Sequence, residues 1–336
     1  MLVSVFGDPS EYSLLGLRVI QTLTEVACGP YRWVCVGTAS DLAAALGQAS
    51  DRPVVFFADS PDHRISSVFL ESGAPLVVFL NSPHAIAKNL AVSRSLDAIS
   101  SIRVTTQSLS CLHELAIVPR AYVVSERLDV NNLDKYIRNF ARLYEIRLDD
   151  SILKEAMHRL IPAMQKDDEI APARGDLAIE SECQTAAMAS CLEGFGPLLK
   201  KKPINQVYWP REVFLDADRQ GMPLSGPLDL TGSARLLLYG PFLHLPRGSW
   251  CATVTFEVSQ NLSGNSLKID IYYDGVIGEW KCELPKEGIY VFDLRFEVLD
   301  PRHAVQIRFY IMQGAIEGIF DLKHVDLRRV DRNHSN

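Results

Sequence analysis

The sequence predicts a parallel-sheet α/β domain with a helical extension, followed by an antiparallel β-sandwich of jelly-roll type. Three observations predict it. The first is a repeat: Gly248-Ser-Trp-Cys-Ala-Thr-Val-Thr-Phe-Glu-Val258 aligns without a gap with Gly288-Ile-Tyr-Val-Phe-Asp-Leu-Arg-Phe-Glu-Val298. Each copy follows a Leu-Pro pair, Leu245-Pro246 and Leu284-Pro285, and reads as a turn leading into a strand of period two. Trp250, Ala252, Val254, Phe256 and Val258 share one face of the first copy; Tyr290, Phe292, Leu294, Phe296 and Val298 share one face of the second. Two equivalent strands of this kind predict two antiparallel layers. The second observation is the alternation of strand and helix signals through residues 1–125, the pattern of an α/β layer structure. The third is a run of short, regularly punctuated strands after residue 235.

Taken in order, residues 2–6 read as a buried strand, and Ser10 as the N-cap of a helix with Leu14, Leu17, Ile20 and Leu23 on one face. Strands follow at 33–36, 54–58 and 76–80, the last two as continuous apolar runs buried on both faces. Helices are expected at 39–46, 65–71, 86–102 and 109–115, and a further strand at 121–124. From 131 the period becomes helical. Leu133, Tyr136, Ile137, Phe140 and Leu143 form one face; Ile152, Leu153, Ala156, Met157, Leu160 and Met164 form a second, capped by Asp149 or Asp150. A polar loop is expected at 166–176 and a third helix at 177–192, ended by Gly194. These segments make a first domain of residues 1–199, with 131–199 as its extension. Residues 200–227, with Pro203, Pro210, Pro223 and Pro227, read as a linker, and 228–330 as the sandwich. Its strands are expected at 235–239, 250–258, 267–273, 276–284, 290–298, 304–312 and 319–328, with Asp274-Gly275 as the clearest hairpin signal.

Composition excludes some functions. With 336 residues, a net charge of −7 and a single basic run, Lys200-Lys201-Lys202, the chain lacks the basic face that nucleic acid requires. Its seven cysteines are scattered and never form C-x-x-C, so neither a disulfide framework nor a metal site is expected. Met1 leads directly into a strand, and no apolar run approaches ~18 residues. The expectation is a reducing cytoplasm and no membrane span.

Tyr239-Gly-Pro-Phe-Leu-His-Leu-Pro-Arg-Gly-Ser-Trp250 places a Pro/Gly-bounded turn between a strand and an aromatic entering the next. Residues 228–329 thereby resemble the jelly-roll modules attached to bacterial carbohydrate-active enzymes and polysaccharide-assembly proteins. In the first half, Phe6-Gly-Asp-Pro-Ser-Glu-Tyr-Ser-Leu-Leu15, Phe79-Leu-Asn-Ser-Pro-His84 and Val123-Val-Ser-Glu-Arg-Leu128 stand in the order of the donor-binding segments of the sulfotransferase version of the P-loop fold, which this half resembles. The resemblance implies a donor pocket around Asp8, Ser10, Asn81 and Asn89. Ser10 stands where the family's loop is basic, Tyr12 where it has glycine, Asn81 where an arginine holds the donor's 3′-phosphate, and Asn89 where it has serine. A phosphate loop needs close backbone approach and a cation, so no cofactor is expected.

Two further groups of residues carry candidate chemistry. Asp59, Asp62 and His63 follow a buried strand at the carboxyl end of the sheet and offer acid/base chemistry, or alternatively ordinary helix capping. His84 after Ser82-Pro83 is similar; His113, in an apolar helical segment, reads as a satisfied, partly buried histidine. In the sandwich, alternation turns Trp250 and Trp280 inward. It turns Lys268, Asp270, Tyr272, Arg295, Gln306, Arg308 and Tyr310 outward. Asp270, Tyr272, Arg295, Arg308 and Tyr310 are the candidate glycan-binding set, because a sugar needs a ring face to stack on and paired donors and acceptors. The alternative is a solvated face of cross-strand pairs.

Three functions follow. The first is a non-catalytic glycan-binding or scaffold protein of bacterial polysaccharide biosynthesis, with carbohydrate or assembly proteins as partners. The others are a sulfo- or glycosyltransferase with an atypical donor pocket, and a structural oligomerisation module.

Overall fold

The computed structural model describes residues 1–47, 51–126, 128–170, 182–219, 221–262, 264–284 and 286–330. The chain divides into two compact units: Met1–Leu96 with Cys111–Ala178 and Pro197–Pro203, and Asp97–Ser110 with Ile179–Gly196 and Ile204–Asn336.

The α/β elements run β1 (Leu2–Gly7), α1 (Glu11–Cys28), β2 (Arg32–Cys35), α2 (Ala39–Gly47), β3 (Val54–Ala58), α3 (His63–Ser72), β4 (Leu76–Phe79), α4 (Pro83–Ser93), α5 (Ala98–Ile117) and β5 (Tyr122–Val124). The five strands form one parallel sheet in the order β2-β3-β1-β4-β5. Every residue of β3 and β4 is buried, as their uninterrupted apolar runs demand. The extension, α6 (Leu133–Leu143) and α7 (Asp150–Ile170), closes a core in which Leu133, Tyr136, Ile137 and Phe140 meet Val3, Val5, Leu17, Ile20 and Leu23. Asp149 caps α7, its Oδ1 accepting from the N–H groups of Ser151 and Ile152 at 2.9 Å.

Several expectations change. Leu14 is 54% exposed, because the buried face of α1 is made from Ser13, Gly16, Leu17, Ile20 and Leu23 instead. A side chain at position 16 would run into the Phe79 ring, so this face seats the helix close against β4. The helix expected at 86–102 is two helices; Asp97 accepts from the N–H of Ser100 at 2.7 Å and starts α5 afresh. Of the stretch expected as a loop at 166–176, residues 166–170 are helical, since α7 continues to Ile170, and 171–176 lie outside the described residues. Of the third helix, α8 (Glu182–Glu193) is described.

The remaining strands are β6 (Gln206–Pro210), β7 (Leu215–Asp216), β8 (Leu228–Asp229), β9 (Arg235–Tyr239), β10 (Pro241–Leu243), β11 (Gly248–Ser259), β12 (Asn265–Tyr272), β13 (Val276–Leu284), β14 (Gly288–Val298), β15 (Val305–Ile311) and β16 (Ile319–Arg329). They form two antiparallel sheets. Sheet I has the order β14-β11-β16-β6, with β8 also on β16; sheet II has the order β13-β12-β15-β9-β7, with β10 also on β15. From β11 to β16 the chain passes between the sheets in the sequence I, II, II, I, II, I, a jelly-roll path. The rings of Phe309 in sheet II and Phe320 in sheet I meet at 5.7 Å in the core between them. The two copies of the repeat are not in opposite layers. They pair directly, Gly248 with Val298 and Val258 with Gly288, and Phe256 stacks on both Tyr290 and Phe292.

The stretch expected as a linker at 200–227 contributes β6 and β7 to the sheets, with Trp209 and Phe214 wholly buried. Proline punctuation hid these strands: Pro210 ends β6, at a sheet edge where proline is tolerated. Trp280 is half-buried rather than core, because β13 is an edge strand whose indole lies over Gly278. Trp250 is fully buried, its Nε1 donating to the Pro246 carbonyl at 2.9 Å. Among the described residues, no helix is long and apolar enough to cross a membrane.

Candidate functional site

The outward face of sheet II is built by the pairing of β12 with β15. The register sets Lys268 opposite Tyr310, Asp270 opposite Arg308 and Tyr272 opposite Gln306. Leu267, Ile269 and Ile271, with Ile307, Phe309 and Ile311, occupy the alternate positions and are buried in the core. The tertiary fold thus brings four of the five residues of the candidate glycan set onto one face. Arg295 is not among them: it lies on β14, in sheet I.

Asp270 organises this face from beneath. Although it points away from the core, it is only 1% exposed. Arg308 covers it as a fork, Nε donating to Oδ1 at 2.6 Å and Nη2 to Oδ2 at 3.0 Å. Lys268 Nζ stands 3.5 Å from both Asp270 Oδ2 and Glu279 Oε2. The cations in turn lie over the tyrosines. The Arg308 guanidinium is 4.6 Å from the Tyr272 ring centre, and the Lys268 ammonium is 4.1 Å from that of Tyr310. The Asp270 hydrogen bonds raise the pKa of Arg308, and burial raises that of Tyr310. Glu279 is held below its usual range, first by Lys281.

Asp270, expected as an exposed acceptor, therefore has both oxygens engaged and acts as a positioning group. What faces outward is the exposed part of the two rings, Gln306, and Arg308 Nη1, which makes no hydrogen bond among the described residues. Glu279 was not among the sequence candidates. The Asp274-Gly275 hairpin could have found it, since that turn brings Glu279 opposite Asp270.

In the α/β unit the carboxyl ends of β1 and β4 bring Asp8, Ser10 and Asn81 together. Asp8 is fully buried and accepts from Ser10 N at 3.1 Å, from Asn81 N at 2.5 Å and from the Ser10 hydroxyl. Burial pushes its carboxyl pKa up, against the hydrogen bonds that lower it. The N–H groups that an anionic ligand would use are thus already aimed at a carboxylate of the chain itself. Tyr12 fills the space beside them: its ring meets Phe79 edge-on and its hydroxyl donates to the Glu126 carbonyl at 2.7 Å. Tyr136 donates to Glu126 Oε2 at 3.2 Å, and its pKa is pushed up to about 12, first by burial. Asn89 stands half-buried in the second turn of α4.

Asp62 is the N-cap of α3, its Oδ1 accepting from Ile65 N at 2.8 Å, and its Oδ2 accepts from Ala39 N at 3.2 Å at the start of α2. Both oxygens tie backbone together, the capping alternative of the sequence reading. Asp59 and His63 flank it, half-buried. His84 is exposed, and His113 is wholly rather than partly buried. Among the described residues, no group of three or more His, Cys, Asp or Glu side chains could hold a metal ion.

No protein-family model and no curated protein matches the sequence. Partial likeness extends to solved structures. The carbohydrate-binding module TmCBM61, solved with β-1,4-galactotriose, is 12% identical, covering 37% of this chain and 88% of its own, with a TM-score of 0.24. The C-terminal CBM6 of LamC from Zobellia galactanivorans is 10% identical, covering 37% and 100%, with a TM-score of 0.23. The larvicidal Cry4Aa toxin of Bacillus thuringiensis is 7% identical, covering 38% and 24%, with a TM-score of 0.24. Sugar-binding modules and a toxin score alike, so the likeness assigns no ligand.

Proposed function

We propose that this chain is a non-catalytic glycan-binding or scaffold protein, and that its ligand face is Tyr272, Gln306, Arg308 and Tyr310 on sheet II. One observation carries the reading: two half-buried tyrosines flank a guanidinium fixed by a buried aspartate. Rings supply an apolar surface for the C–H face of a sugar, and a fixed guanidinium supplies donors for its hydroxyls. Side chains locked before binding lose little entropy on contact. Association with bacterial polysaccharide assembly, and a cytoplasmic setting, belong to the same proposal; the free thiols of Cys28, Cys35, Cys111, Cys191, Cys251 and Cys282 support the latter.

The test is a panel of neutral and acidic oligosaccharides titrated into the full chain. Tyr272→Ala and Tyr310→Ala should each weaken binding by about 1 kcal/mol, several-fold in Kd, with little change in Tm. No binding by the parent chain, or losses matched by equal losses in stability, would overturn the reading.

The α/β unit is proposed to be a sulfotransferase-like domain without donor binding. The Asp8 carboxylate, seated on the N–H groups of Ser10 and Asn81, supports this. Calorimetry with the phosphoadenosine sulfate donor should show no binding. Micromolar affinity would instead favour a transferase.

A further inference from the structure

We infer that the free edge of β14 is a self-association surface, joining two copies of this chain through antiparallel β14–β14 pairing centred on Leu294. An unpaired edge strand offers a row of N–H and C=O groups to any other strand, and folded proteins ordinarily blunt such edges. Of the four edge strands that end the two antiparallel sheets, three are blunted. Edge strand β6 ends in Pro210 and lies against Gly194, where a side chain would strike the Gln206 carbonyl. Edge strand β7 is two residues long. Edge strand β13 carries the charged row Glu279, Lys281 and Glu283.

β14 has neither the proline nor the short length, and the charges of its outer face, Asp293, Arg295 and Glu297, follow the apolar Ile289 and Val291. It runs for 11 residues without proline, and its register with β11 is unbroken from Gly288 to Val298. Ile289 and Val291 on its outer face are 68% and 60% exposed. On the inner face Tyr290 and Phe292 are only half-buried, although both stack on Phe256. The apolar core therefore reaches this edge without a cover.

Charge selects the occupant and the register. Asp293 and Arg295 are both exposed and stand two residues apart on the outer face. In a two-fold pairing centred on Leu294, Asp293 of each copy faces Arg295 of the other, and this occurs twice. Centring on Asp293 or Arg295 sets that residue against its own copy, a like-charge pair, and centring on Phe296 pairs Arg295 with Glu297 but overlaps the strands only over residues 294–298. The Leu294 register also places Phe292 opposite Phe296 of the second copy and Tyr290 opposite Val298, extending the inner row. A strand that is complementary in charge to itself along residues 290–298 is suited to a second copy of the same chain. The surface lies on sheet I and is independent of the ligand face on sheet II.

Sedimentation velocity over a concentration series of the full chain tests this. The parent chain should dimerise. Asp293→Arg and Arg295→Asp should each weaken the dimer about tenfold or more, since each converts both cross-pairs to like charges. The double variant Asp293→Arg/Arg295→Asp should return to within about threefold of the parent, because the pairs are restored in reverse. Asp293 also accepts from the Thr253 hydroxyl at 2.6 Å, so melting curves check that each variant is folded. Hydrogen exchange on the parent needs no variant: the outward amides of β14 should exchange more slowly at dimer concentrations than on dilution. A parent that stays monomeric, single variants that dimerise normally, a double variant no better than the singles, or β14 amides indifferent to concentration would each overturn the proposal.

Discussion

Trp250→Ala is expected to destabilise the β unit by about 3–5 kcal/mol, the usual cost of emptying a large core site. The indole is fully buried and faces Phe296 and Arg329 across its strand neighbours. The substitution also strips the Pro246 carbonyl of the Nε1 donor at 2.9 Å. Denaturant unfolding followed by tryptophan fluorescence in a Trp33→Phe background, where Trp209 and Trp280 report on the same unit, measures the loss. The chain has two compact units, so this transition must be read separately from that of the α/β unit. A midpoint unchanged by Trp250→Ala, together with lost glycan binding, would move the ligand face to the opposite side of the strands.

Arg308→Ala should cost about 3 kcal/mol or more, because it leaves Asp270 buried without its fork. The aspartate is 1% exposed, and Lys268 at 3.5 Å is the remaining cation beside it. Replacing both partners, as in Asp270→Leu/Arg308→Leu, should recover most of that loss, since two apolar side chains leave no uncompensated charge. A double-mutant cycle closed with the single variants Asp270→Leu and Arg308→Leu should therefore give a coupling of about 2–3 kcal/mol. Near-zero coupling would reduce the pair to a solvated surface contact. The cycle also separates stability from recognition. The leucine pair should fold and yet bind glycan no better than Arg308→Ala, because both lack the guanidinium.

Much of the architecture was legible because it is local. The alternation of β11, β12, β14 and β15 set the phase of every side chain, and the buried runs of β3 and β4 announced a sheet covered on both faces. Asp274-Gly275 gave the β12–β13 hairpin. The site was less legible. Outward phase was correct for Asp270, yet it is buried, because Arg308 and Lys268 close over it from β15 and from its own strand. Trp280 had the inward phase of a core residue, yet it is half-buried at a sheet edge.

By itself, then, the sequence determined the fold class and the order and phase of the principal strands. Each depends on residues within a few positions of one another. Only the tertiary structure decided that Arg295 and Arg308 belong to different sheets, that 206–210 and 215–216 are strands rather than linker, that Asp62 caps α3, and that Asp8 occupies the N–H groups of Ser10 and Asn81. These depend on which segments meet across long separations in sequence. Periodicity tells which way a side chain points; the strand or loop that arrives beside it decides what it touches.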